Sequence, residues 1–233
     1  MSLPFFYINE YDASSKELVL DEDTSRHAVQ VLRMKEGEKL NLTDGKGNLI
    51  TAEIAQAHKK HCLAEIKSKR TVSKTNRPIT IGISLLKNAS RLEWFFEKAT
   101  EIGVSEIVPL ICERTEKQKF RHDRIKQICI SAMLQSQQCW LPVLHEPVEF
   151  DKLVSNISAA EKFIAHCEDA PKIRLSNKPA NQSVIILIGP EGDFTPSEIE
   201  LALKNNFMPV SMGQTRLRSE TAGVVAAALL ISL

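Results

Sequence analysis

Two glycine-containing bends near the C-terminus carry the residues of this chain best suited to chemistry. The first, IGPEGDFT, places Gly189, Pro190, Glu191 and Gly192 directly after the apolar run VIILI. The second, SMGQTRLRSETA, places Gly213 after FMPVSM and follows it with Arg216, Arg218 and Glu220. Glycine carries no Cβ, so main-chain N–H and C=O groups at such bends can come within hydrogen-bonding distance of a small ligand. Neither bend matches G-x-G-x-x-G or the phosphate-binding lysine loop. Taken singly, Glu191 and Glu220 read as solvated carboxylates, and Arg218 reads equally as a functional cation or as a side chain that satisfies nearby carbonyls. Two such bends together, at the carboxyl ends of neighbouring apolar strands, describe a shallow pocket walled by backbone.

Other reactive residue types point away from chemistry. The five cysteines, Cys62, Cys112, Cys129, Cys139 and Cys167, are scattered and never form C-x-x-C. They suit packing in a reducing compartment better than a disulfide framework or a zinc site, and no metal is expected. A net charge of +1 excludes a strongly basic, nucleic-acid-coating protein. Two local basic runs remain. Lys59–Arg77 holds seven basic residues against one acidic, and Arg114–Lys126 holds six against two. The N-terminus has no signal-peptide pattern, and the apolar AGVVAAALLISL is too short to span a bilayer. The expectation is a cytoplasmic protein with no membrane partner.

The elements that must position these residues follow two grammars. Residues 38–70 read as three strands, with Leu40 and Leu42 alternating and DGKGN turning a hairpin. One short helix, LDEDTSRHAVQVLRM, precedes them, with Val29, Leu32 and Arg33 at helical spacing. This suggests a small β-barrel, followed by a polar linker over 68–78. From residue 79, strands (ITIGISLL, EIVPLI, KFIAHC, VIILI, FMPVSM) alternate with helices, among them ASRLEWFFEKATEI closed by Gly103 and RHDRIKQICISAMLQSQQ. Thr195, Pro196 and Glu198 outline a capping box after the first bend. Alternation of this kind means a mostly parallel sheet covered on both faces, with ligands beyond the carboxyl ends of its strands.

The set RHAVQVLRMKEG, EWFFEKATEIGVSEIVPL, LIGPEGDFT and SMGQTRLRSETA, in that order over nearly the whole chain, resembles the bacterial methyltransferases that modify the ring imide nitrogen (N3) of one uridine in small-subunit ribosomal RNA. These are SPOUT-class enzymes. The resemblance implies a PUA-like β-barrel for RNA over residues 1–72 and an α/β SPOUT domain with a trefoil knot over 73–233. It further implies S-adenosylmethionine as methyl donor, a homodimer, and small-subunit ribosomal RNA, in an assembled subunit, as substrate. Leu187, Ile188, Gly189, Pro190, Glu191, Gly192, Met212, Gly213, Leu217 and Thr221 would then form the cofactor site. Glu191 would face the sulfonium. Arg218 would stabilise charge developing on the uracil, and Glu220 would act as base or as a group orienting the cofactor. Arg33, Lys67, Lys69, Arg70, Arg114 and Arg121 would contact RNA.

The chain departs from the family pattern at Asp193, where glycine is usual, and at Thr215 and Arg216, where an arginine and an apolar residue are usual. Leu134 and Gln138 replace an acid and an arginine, and Phe5 stands where an arginine often follows the proline. These changes leave the glycine bends intact and remove groups of the kind that bind phosphate. Two other readings stay open: a knotted enzyme acting on transfer RNA, and an RNA-binding assembly factor without catalysis.

Overall fold

The DGKGN turn owes its shape to one carboxylate. Asp44 Oδ1 accepts hydrogen bonds from Lys46 N (2.9 Å) and Asn48 N (3.4 Å), and Oδ2 accepts from Asn48 Nδ2 (2.7 Å). This is the side-chain turn for which aspartate is suited. The computed structural model describes residues 3–10, 12, 14–74, 77–116, 119–175 and 182–231. Met1, Ser2, Thr75, Asn76, Lys117 and Ser232–Leu233 fall in stretches read above and lie outside the described residues.

The chain divides into two compact units, Met1–Lys74 with Met133–Leu141, and Thr75–Ala132 with Pro142–Leu233. The first holds β1 (Phe5–Tyr7), β2 (Glu17–Val19), α1 (Glu22–Arg26), β3 (Lys39–Thr43), β4 (Asn48–Gln56) and β5 (Leu63–Thr71). Its strands form one curled sheet in the order β1-β3-β4-β5-β2, with β1 parallel to β3 and the remaining pairs antiparallel. Period-2 alternation sends Leu40, Leu42, Ile50, Ala52, Ile54 and Ala64 into a single core.

Two features of this unit differ from the sequence reading. β5 continues to Thr71, and Val72 O accepts from Trp140 Nε1 at 2.9 Å, so the first residues of the supposed linker belong to the sheet. The short helix leaves α-geometry at His27 and closes as a π-helical turn, His27–Val31. The wider turn breaks the 3.6-residue spacing. Ala28 is buried, Val31 and Leu32 face solvent, and Arg33 lands at φ 55°.

The second unit holds β6 (Ile79–Ser84), α2 (Ala89–Ile102), β7 (Glu106–Ile111), α3 (His122–Gln135, whose last turn belongs to the first unit), β8 (Val143–Leu144), β9 (Val148–Glu149), α4 (Phe150–Asn156), β10 (Glu161–Ala165), β11 (Ile173–Arg174), β12 (Val184–Ile188), α5 (Pro196–Lys204), β13 (Met208–Ser211) and α6 (Ser219–Leu230). All strand pairs are parallel, in the order β11-β13-β10-β12-β6-β7-β8, with β9 also on β7. β12 is buried at every position, as the centre of a sheet covered on both faces requires. Asn88 caps α2 by accepting from Ser90 N, and Gly103 ends it at φ 99°. The helix α4 and the two-residue strands have no period long enough to show in sequence.

Candidate active site

Three parallel strands deliver the site. β10 lies between β12 and β13, so the two bends are not on neighbouring strands. The carboxyl end of β10 supplies a third wall, Ala165, His166 and Cys167, between them. Together these ends open on one cleft of about 660 Å³, within the range of small-molecule sites.

The first bend is braced from several sides. Asp193 N donates to Pro190 O at 2.9 Å, and Arg114 Nη1 donates to Gly192 O at 2.7 Å. Glu191 Oε1 accepts from Lys87 N at 3.1 Å, which ties the bend to the residue before the α2 cap. Behind the bend, the capping box of Thr195 and Glu198 forms as expected, and Glu198 Oε1 also accepts from Glu113 N at 2.9 Å. Asp193 occupies the left-handed region at φ 65°, which accounts for a position where glycine also serves. Its carboxylate uses the opportunity: Oδ2 accepts from Cys167 N (2.7 Å) and Oδ1 from Phe194 N (2.9 Å), pinning the end of β10 to the bend.

The second bend is open. Gly213 sits at φ 147°, and a Cβ there would meet nothing within 4 Å. Gly189 differs. Its missing Cβ would lie 3.1 Å from the Phe194 ring and 3.2 Å from Phe194 N, so that glycine serves close packing as well as the cleft.

Ile188, Gly189, Pro190, Glu191, Met212, Gly213, Leu217 and Arg218 line the cleft, as do Arg216, Lys172 and Asp193. Leu187, Gly192, Thr221 and Glu220 do not. Leu187 points into the core, and Gly192 faces the Arg114 stem. Glu220 is 7% exposed, with Oε1 3.6 Å from Arg91 Nε. Arg91 lines the cleft itself, as does His166. Burial, with Lys172 nearby, pushes the His166 imidazole below its ordinary value despite Asp193 and Glu168, so its neutral form is favoured. Sequence reasoning missed His166 and Cys167, since no periodicity reports that β10 is inserted between β12 and β13. It also missed Arg91 on α2 and Lys172 before β11, which only the fold brings to the cleft.

Four of the five thiols behave as packing groups, whereas Cys167, expected to pack, is exposed at the cleft. Four are buried, and burial pushes Cys112 up to about 12 and Cys129 to about 11. No group of three or more metal-ligating side chains occurs among the described residues. Among them too, no helix is long and apolar enough to cross a membrane.

The RNA methyltransferase domain model matches residues 73–231, and the RNA methyltransferase PUA domain model matches residues 20–67. Ribosomal RNA small subunit methyltransferase E of Synechocystis sp. is 33% identical over 221 residues, covering 89% of this chain and 70% of that protein. This chain belongs to the ribosomal RNA small subunit methyltransferase E family. A probable rRNA-methyltransferase from Porphyromonas gingivalis has a solved structure 39% identical, with TM-score 0.86 over 97% of this chain and 95% of the other. Methyltransferase E from Neisseria gonorrhoeae, solved bound to S-adenosyl methionine, superposes with TM-score 0.87 at 28% identity, covering 97% and 96%. The two domain models and the two compact units give this methyltransferase E homologue its curled PUA domain and its SPOUT-type α/β domain.

The arginines and lysines expected to contact RNA fall into two groups in the methyltransferase. Arg33 and Arg70 are exposed and form no ion pair among the described residues, and Arg121 is exposed with one long contact to Glu93 at 3.7 Å. Lys67, Lys69 and Arg114 are engaged. Lys67 Nζ lies 2.8 Å from Glu65 and 3.6 Å from Glu53, Lys69 Nζ donates to Ser15 O at 3.1 Å, and Arg114 braces the bend. Arg77, at the end of the first basic run, donates to Leu230 O at 2.9 Å and pairs with Glu161 at 3.1 Å, closing the C-terminus of α6.

Proposed function

We propose that this methyltransferase transfers the methyl group of S-adenosylmethionine to the N3 imide nitrogen of one uridine in small-subunit ribosomal RNA, within the cleft between the two bends. The observation that carries the reading is the convergence of three parallel strand ends on one cleft that Arg218 enters. The residues present fit the cofactor. The open space beside Gly213 admits a flat ring against main chain, and Glu191 and Asp193 provide the anionic charge that a sulfonium favours. Ile188, Gly189, Pro190, Glu191, Met212, Gly213 and Leu217 would hold it. Leu187, Gly192 and Thr221 would act by supporting those positions.

S-adenosylmethionine supplies a methyl group already activated for transfer, so the protein's task is alignment and charge control. Uridine N3 must lose its proton, and the charge then spreads to the flanking carbonyl oxygens. Arg218 sits at the N-cap of α6, exposed, with no capping bond and no ion pair among the described residues. Its guanidinium is placed to meet that charge. Glu220 is buried outside the cleft lining and is given no proton-transfer step. The protein acts as a cytoplasmic homodimer on an assembled subunit, where an unpaired target is cheaper to extract than a stacked one.

The test is label transfer from S-adenosylmethionine to small subunits lacking the modification, followed by mapping of the product nucleotide. Label at a single uridine N3 is the expected outcome. Label on a ribose, on transfer RNA, or nowhere overturns the proposal.

A further inference from the structure

We propose that Glu220 is a positioning residue that holds Arg91 so that its guanidinium fork meets an oxyanion entering the cleft. This rests on the reading of the cleft as the methyl-transfer site. Arg91 stands in the first turn of α2, where the positive end of the helix dipole disfavours a cation. Glu220 stands in the first turn of α6, where a carboxylate is favoured. The two first turns thus face each other with opposite charges.

The contact is incomplete. At 3.6 Å, Arg91 Nε to Glu220 Oε1 is an ion contact beyond hydrogen-bond range, and Glu220 Oε2 is buried without a hydrogen-bond partner. A buried carboxylate with one long contact is costly, and the helix dipole alone offsets only part of that cost. A purpose for it appears on the other side of Arg91. The contact runs through Nε, which leaves both Nη groups without a hydrogen bond among the described residues. Arg91 lines the cleft with 38% of its side chain exposed, whereas Glu220 does not reach it. The order from the cleft inward is therefore ligand, Arg91, Glu220. A guanidinium fork matches an oxyanion in two parallel hydrogen bonds. That chemistry is offered by the carboxylate of the cofactor's amino-acid part and by a phosphate of the substrate RNA.

The experiment compares Arg91→Ala, Glu220→Gln and the double variant. Affinities are measured for S-adenosylmethionine, for methylthioadenosine (which lacks the amino-acid carboxylate), and for a small-subunit RNA fragment. Single-turnover rates are followed against pH. Arg91→Ala should weaken the ligand bearing the oxyanion roughly tenfold to a hundredfold. Loss for S-adenosylmethionine but not methylthioadenosine identifies the carboxylate, and loss for RNA alone identifies the phosphate. Glu220→Gln should weaken that same ligand less, and the double variant should be no worse than Arg91→Ala, with the rising limb of the pH profile kept. Parental affinity for all three ligands in Arg91→Ala overturns the proposal. So do additive losses in the double variant, or a Glu220→Gln enzyme that binds normally and loses the rising limb. If Glu220→Gln melts early, Arg91→Lys decides instead, since parental affinity with a lysine would show that no fork is used.

Discussion

Arg218 enters the cleft from the loop between β13 and α6, a position that separates two roles for it. If it meets charge on the uracil oxygens, Arg218→Ala should lower kcat by about a hundredfold to a thousandfold, the scale of losing one preorganised donor. Arg218→Lys should recover only part, because the charge stays and the fork is lost. Raising the pH should partly restore Arg218→Ala, since more of the uridine is then deprotonated without help. A phosphate clamp predicts instead weaker RNA binding, near-parental kcat at saturation and no recovery with pH. Single-turnover rates against pH at saturating RNA and cofactor distinguish the two, and a parental kcat ends the catalytic assignment. At this scale the sequence showed the bends and Arg218 because glycines and a loop arginine mark themselves. It hid Asp193's second duty, since a carboxylate at φ 65° that accepts from Cys167 N depends on where β10 lies. It left Glu220 as base or as a group orienting the cofactor, and could not show that its carboxylate faces Arg91.

The last helix shows why sequence locates elements better than their neighbours. The apolar run AGVVAAALLISL marks a helix but not what that helix packs on. In the structure α6 buries Ala222, Gly223, Ala226, Ala227 and Leu230 and packs on α2 within its own unit. The approach is close enough that a Cβ on Gly223 would lie 2.5 Å and 2.7 Å from ring carbons of Phe95, which is 0% exposed. Gly223→Ala gains about 1 kcal/mol of helix propensity. Overpacking against a ring with no room to move costs about 1–3 kcal/mol, so the net change should be destabilising. A lowered denaturant midpoint with an unchanged slope checks this, and a raised midpoint would show that α2 yields. The helices α2 and α5, with the Gly103 end of the first and the Thr195 start of the second, were legible, because such caps and 3.6-residue spacing are local. The π-helical turn at His27–Val31, the short strands and the insertion of β10 were not, because each is decided by contacts distant in sequence.

For the whole molecule, a net charge of +1 leaves no general attraction for RNA, so any affinity must come from charges that the fold leaves unmatched. A count of basic residues between Lys59 and Arg77 treats seven cations alike, and the structure does not. Arg77 is committed to Leu230 and Glu161, and Lys67 sits between Glu53 and Glu65, whose hydrogen bond and charge hold its ammonium above the usual lysine range. Arg70, on the exposed end of β5, forms no ion pair among the described residues. A phosphate that meets Arg70 releases a counterion, whereas one that meets Lys67 must first displace two carboxylates. Arg70→Gln should therefore weaken binding of a small-subunit RNA fragment and reduce the slope of log K against log salt by about one. Lys67→Gln should leave that slope near the parental value, and cofactor affinity should be unchanged in both. Fluorescence anisotropy between about 50 and 200 mM salt measures the slopes over the range where such contacts dominate. Equal losses in the two variants would mean that Lys67 leaves its carboxylates for RNA. A parental slope in Arg70→Gln would mean that this end of β5 does not meet the substrate, leaving the electrostatic footprint to other exposed cations such as Arg33 and Arg121.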